Sequence, residues 1–229
     1  MNPASPSPPR EGGATTPRAR RWPVRPLVFL LVVAPFAWLA WQAYGAFVGG
    51  SRALGSEPIR ELELATGEWT IRFLALTLAL TPARRLFGWN GLAKYRRMFG
   101  LFTFFYASVH LALWVGVDWF FDIPAMAEEI AEKRYILVGM AAFLVLVPLA
   151  VTSTKGWIRR LGGGRWNRLH RLTYLAAVLG TIHYLWAVKK DLTNPLIFAA
   201  IFAILFGVRI WWRVRGRDAA GSARGRPAR

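Results

Sequence analysis

The chain has 229 residues, with 30 Lys plus Arg against 12 Asp plus Glu, 55% hydrophobic residues, 12 Trp, 15 Phe and no Cys. Apolar content on this scale excludes a disordered basic protein, and repeated apolar runs of about 20 residues exclude an ordinary soluble domain. Without Cys there is no disulfide, thiolate metal site, iron–sulfur cluster or covalently attached c-type haem, so any metal must be held by His, carboxylate or Met.

Residues 1–26 hold seven of the fourteen prolines and five arginines with no apolar periodicity, which reads as a disordered basic tail. Residues 27–47 (LVFLLVVAPFAWLAWQAYGAF) then run 21 positions without a charge, enough to cross a hydrocarbon core of about 30 Å as a helix. Five further crossings are predicted at 69–81, 98–117, 135–152, 172–188 and 195–212, followed by a basic tail over 213–229. The fold class is therefore an all-α integral membrane protein, a six-helix transmembrane bundle over 27–212. The second crossing is the weakest, because Arg72 interrupts it near one end, where its long side chain can snorkel to the headgroups. Gly162, Gly163 and Gly164 read as a flexible loop; Asn167 prevents a GxGxxG match.

Alternating the connections across the membrane puts 23 of the 30 basic residues on one side and six on the other, with ten of the twelve acids opposite the larger group. The positive-inside rule then places both termini in the cytoplasm. The formal charge of +18 thus reports topology and attraction to anionic membrane lipid, and no nucleic-acid partner is expected.

The only histidines are His110, His170 and His183. An ionisable side chain at membrane depth is costly unless paired or ligated. His110 lies 13 residues after Arg97 and His183 lies 12 after Arg171, so both sit roughly 20 Å from the cytoplasmic end of helices running the same way. At matched depth the two imidazoles can serve as axial ligands of one haem, leaving no open iron position for oxygen chemistry. The alternative is a pair of neutral imidazoles satisfied by a backbone carbonyl or hydroxyl on a neighbouring helix.

His170 lies at the cytoplasmic mouth among Arg165, Arg168 and Arg171, 13 residues before His183. On one ideal helix that spacing turns about 220° beyond whole turns, so the two share a face only with a distortion, for which Gly180 is the obvious locus. His170 is a candidate contact of a second haem or of a flavin phosphate, or a solvated interfacial imidazole. Arg72 is a candidate partner of a haem propionate, or simply snorkels. The outer acids Asp118, Asp122, Glu128, Glu129 and Glu132 form a solvated face that a partner could dock on, and Trp at the span ends reads as an interfacial belt.

The stretches LTPARRLFGWNGLAKYRRMFGLFTFFYASVHLALW (80–114) and TSTKGWIRRLGGGRWNRLHRLTYLAAVLGTIHYLWAVK (152–189) resemble the MsrQ family, formerly YedZ. These are haem-binding membrane subunits of the bacterial MsrPQ methionine sulfoxide reductase system, within the ferric-reductase-like transmembrane group. The resemblance covers all six predicted spans, and LHRLTYLAAVLGTIHYLW is its most specific part. It implies b-type haem, one or two, and a bound FMN. It further implies electrons passing from the quinone pool or a cytosolic flavin reductase, across the inner membrane, to a periplasmic molybdopterin enzyme, MsrP. On that reading the chain is an electron-transfer subunit, and sulfoxide reduction belongs to its partner. Compared with the more distantly similar NADPH oxidases and ferric reductases, the chain lacks one of four histidines and the whole flavin and nicotinamide domain. A haem-free scaffold or transporter, and a transmembrane ferric reductase, are the competing readings.

Overall fold

The structure is a computed structural model and describes residues 24–224; residues 1–23 of the expected first tail and 225–229 of the second lie outside them. Among the described residues the chain is helical, with no strand. In chain order the helices are α1 (Val24–Phe47), α2 (Pro58–Phe87), α3 (Arg96–Leu113), α4 (Ile123–Glu132), α5 (Arg134–Val151), α6 (Lys155–Leu169), α7 (Leu172–Ala187) and α8 (Thr193–Arg224). A 3₁₀ segment, Asn90–Tyr95, leads into α3, and a π-helical turn, Trp114–Asp118, continues it.

Among the described residues, four segments are long and apolar enough to cross a membrane: Val24–Phe47, Arg96–Asp118, Arg134–Val151 and Thr193–Arg215. They coincide with the first, third, fourth and sixth expected crossings. The fifth falls on α7, a shorter apolar helix. The second lies inside α2, which carries Arg60, Glu61, Glu63, Glu68, Arg72, Arg84 and Arg85 yet buries more side chains than its neighbours. A helix surrounded by protein can carry such charges, because its neighbours rather than lipid meet them.

Local signals explain the ends. Pro58 starts α2, where a missing N–H costs nothing, and Gly88 closes it in the left-handed conformation at φ 68°. Asp122 caps α4 by accepting from the Ala125 N–H at 3.1 Å. Thr154 caps α6 by accepting from the Trp157 N–H at 3.3 Å. The expected flexible loop around Gly162 is instead part of α6. Gly162 alone breaks the helix, at φ 69° and ψ 153°, where glycine meets no Cβ penalty. The chain also stays helical past residue 212, the expected end of the last crossing, as α8 continues to Arg224.

Packing organises the helices as two pairs. α3 lies along α2, joined by Phe73 and Tyr106, and the Tyr106 hydroxyl donates to the Val32 carbonyl of α1 at 3.1 Å. α7 lies along α5. Ala107, Leu146, Leu149 and Ala176 form a core between α3 and the α5–α7 pair. Ile71, Leu74, Leu78, Ala177 and Phe202 form another where α2, α7 and α8 meet. Small Ala176 and Ala177, both essentially inaccessible, let these helices approach closely. The outward faces of α1 and α8 expose Leu30, Leu31, Trp41, Ile204 and Ile210, an apolar exterior suited to lipid.

Candidate functional site

His110 on α3 and His183 on α7 come together, with ring centroids 6.1 Å apart and planes at 76°. His110 Nδ1 lies 2.9 Å from the Glu63 carbonyl oxygen of α2. A carbonyl only accepts, so Nδ1 carries the proton and Nε2 keeps the lone pair. Thr66 Oγ1 is 3.5 Å from the same nitrogen, and its own proton goes to the Leu62 or Glu63 carbonyl. His183 repeats the arrangement: its Nδ1 donates to the Tyr135 carbonyl of α5 at 2.7 Å.

Each imidazole also rests on a glycine of the helix that holds it. A Cβ on Gly67 would stand 3.4 Å from His110 Cε1, and one on Gly139 would stand 2.6 Å from His183 Nδ1. Gly67 follows Glu63 by four residues, as Gly139 follows Tyr135, so in both cases one helical turn supplies the carbonyl and a flat place for the ring. The two halves thus build the same cradle from unrelated side chains.

The donor set fits one metal ion between the rings. An imidazole–metal bond of about 2 Å, with about 1 Å more from nitrogen to ring centre on each side, sets two rings ~6 Å apart across an ion. A carbonyl partner on the second ring nitrogen is also what fixes and strengthens a metal-bound imidazole. The same bond would satisfy a purely structural histidine; the repeated cradle and the ring separation are what favour ligation.

His170 belongs elsewhere. It ends α6 rather than lying on α7, which begins at Leu172, so the 220° relation to His183 does not apply and α7 runs unbroken through Gly180. Its Nε2 is 3.2 Å from Thr152 Oγ1, whose proton goes to the Pro148 carbonyl at 2.6 Å. Nε2 is therefore the protonated nitrogen, the opposite tautomer to the other two. Trp166 stacks on the ring at 3.9 Å and donates its Nε1–H to the Thr152 carbonyl at 3.0 Å. Burial, and then the charge of Arg96, lower the His170 pKa from its ordinary value. The imidazole borders a cavity of about 220 Å³ lined also by Arg96, Arg97, Thr103, Leu149 and Trp166.

Arg72 sits on α2 five residues after Gly67, with its guanidinium donating to Glu68 and lying 4.8 Å over the Trp69 ring. The charge expected to meet a propionate thus has a carboxylate partner within its own helix. Among the outer acids, Asp122 caps α4 and Glu129 pairs with Lys133.

Comparison with known proteins bears on this arrangement. Residues 66–181 match the ferric reductase like transmembrane component family, a stretch that includes His110 and His170 and stops two residues before His183. A protein of Rhodospirillum rubrum named "Protein-methionine-sulfoxide reductase heme-binding subunit MsrQ" is 52% identical over 191 residues, covering 83% of this chain and 88% of its own length. Proteins of the same name from Xanthomonas euvesicatoria and Xanthomonas campestris are each 47% identical, over 83% of this chain and 87% of theirs. The chain belongs to the MsrQ family of ferric-reductase-like transmembrane proteins. It is accordingly a multi-pass membrane protein.

Membership leaves the cradle to be read from geometry. Sequence reasoning found the two imidazoles but missed Glu63, Gly67, Tyr135 and Gly139. Backbone carbonyls carry no residue signature, so Glu63 and Tyr135 could not have been singled out. The glycines could have been, as the positions on α2 and α5 level with the histidines.

Proposed function

We propose that the chain is a b-type haem electron-transfer subunit in which His110 and His183 bind the iron through Nε2. Haem held by these two imidazoles would supply reversible one-electron storage inside the membrane. The observation that carries the reading is the pair of imidazoles 6.1 Å apart, each locked by Nδ1 onto a helix carbonyl. The chain's own residues hold both rings in one tautomer, and buried helices around them limit water. Arg72, with N–H groups beyond the one given to Glu68, supplies positive charge at the same end of the bundle.

The relatives' name makes them subunits of a protein-methionine-sulfoxide reductase, and the family resemblance extends the proposal from there. Electrons enter at the basic, cytoplasmic end from quinol or a cytosolic flavin reductase and leave at the acidic, periplasmic end to a molybdopterin methionine sulfoxide reductase. Both termini lie in the cytoplasm of a bacterium, and the bundle sits in its inner membrane, as the distribution of basic residues supports. The cavity at His170 takes the phosphate of the family's FMN rather than a second haem. Arg96 and Arg97 offer it positive charge, while His170 Nε2 is engaged with Thr152.

The test is an optical spectrum of the purified protein with haem quantified as the pyridine haemochrome. One low-spin b-type haem is expected, lost in His110→Ala and in His183→Ala. Colourless protein from a haem-replete host would overturn the proposal and favour a haem-free scaffold.

A further inference from the structure

The cradles orient each imidazole within its own helix pair: His110 within α2–α3 and His183 within α5–α7. Neither cradle sets the distance between the pairs. Ile71, Leu74, Ala176 and Ala177 pack across the divide one to two helical turns from the imidazoles, roughly 6–10 Å away along the axes, and apolar packing of this kind is not directional. Phe104 of α3 also stacks on Phe143 of α5 at 5.5 Å, so apolar contact holds the halves together, and a directional bond at the imidazole level would set their relative angle.

Glu68 is placed for this. It follows Gly67, which faces the His110 ring, and it meets Tyr184, which follows His183. The Tyr184 hydroxyl donates to Glu68 Oε1 at 2.8 Å. Asn194, at the start of α8, donates to the same oxygen at 3.2 Å, and Arg72 donates to Oε2. Among the described residues, the Tyr184–Glu68 bond is the one side-chain hydrogen bond that joins α2–α3 to α5–α7. A carboxylate suits the place because its two oxygens accept from three donors on three sides. Tyr184 and Asn194 offer only neutral donors, so the single positive charge of Arg72 balances that of Glu68 within the cluster.

We propose that Glu68 is the positioning residue of the imidazole pair: through Tyr184 it ties α2 to α7 beside both rings and fixes the spacing and relative angle at which they share one iron. This rests on the haem reading above. Glu68 touches neither imidazole and acts only through the helices it joins.

The substitutions Tyr184→Phe, Glu68→Leu and Glu68→Gln, made in the full chain and purified with haem, separate this role from a simple contribution to stability. Gln keeps an oxygen for Tyr184, whereas Leu keeps nothing. The ferric low-spin EPR signal reads the relative orientation of two axial imidazole planes. Shifted g values in Tyr184→Phe and Glu68→Leu, returning to the wild-type position in Glu68→Gln, are expected. Tyr184→Phe removes one hydroxyl and keeps the test readable if Glu68→Leu does not accumulate. A Tyr184→Phe signal identical to wild type, or a Glu68→Gln signal as displaced as that of Glu68→Leu, overturns the proposal, even if thermal stability falls. A wild-type protein with no low-spin haem signal would instead defeat the haem reading itself, so the two failures are distinct.

Discussion

At the acidic end of the bundle, His110 and His183 each give Nδ1 to a helix carbonyl and keep a lone pair on Nε2; at the basic end, His170 gives Nε2 to Thr152 and lays its ring on Trp166. The first pair is held by backbone carbonyl and glycine. The single imidazole is held by a hydroxyl and an indole beside a cavity with two arginines. Histidine count alone would treat the three as equivalent. Which nitrogen is protonated, and which group accepts its proton, separates the pair proposed as ligands from the single imidazole at the cavity wall.

The largest expected contrast is haem content. His110→Ala and His183→Ala should each abolish the low-spin haem, whereas His170→Ala should retain it; haemochrome assays of the three variants side by side would show a shared site if all three lost it equally.

Next comes the glycine pair, which probes the cradles without touching a ligand. Gly139→Ala puts a methyl 2.6 Å from His183 Nδ1, so the ring must move, at a cost of about 1–3 kcal/mol and with loss of haem affinity. Gly67→Ala meets His110 at 3.4 Å and should do much less. Haem titration of the apoproteins orders them, and equal affinities would contradict the cradle geometry.

Thr152→Val sharpens the other side of the comparison. It deletes the acceptor of the His170 Nε2–H while leaving the backbone carbonyl that Trp166 uses, and should cost about 1 kcal/mol in thermal unfolding without changing the haem spectrum.

The smallest effect is in pH. Burial and Arg96 disfavour the His170 imidazolium in the folded protein, so the unfolded chain binds more protons near its free pKa of about 6.5. Stability should therefore fall as pH drops through that value, and His170→Gln should flatten that part of the profile. Parallel melting curves of the two proteins between about pH 7.5 and pH 5.5, one unit either side of the free pKa, would expose an error of sign.

The sequence supports the pairing of His110 and His183 because rise per residue converts spacing to depth, and basic residues mark the zero of that scale. It puts His170 at the mouth of the fifth span, where the structure has it, but the rotational relation to His183 treats the two as one helix, whereas α7 starts only at Leu172. It also misreads residues 162–164, where one left-handed glycine kinks a helix that otherwise continues. For a physical reason, α2 does not stand out as an apolar span. Its charges dilute its hydropathy, yet Glu68 and Arg72 pair with each other, and Glu68 reaches Tyr184 and Asn194 on neighbouring helices. Partners of that kind come from tertiary packing and leave no periodic trace in the chain.

The most direct measurement is the optical spectrum of His183→Gly protein with and without added imidazole. The two-imidazole account predicts that the low-spin spectrum disappears in the variant and returns when imidazole fills the vacated place. A His183→Gly protein that keeps the wild-type spectrum with no imidazole present would contradict it, because the iron would then have its second ligand elsewhere.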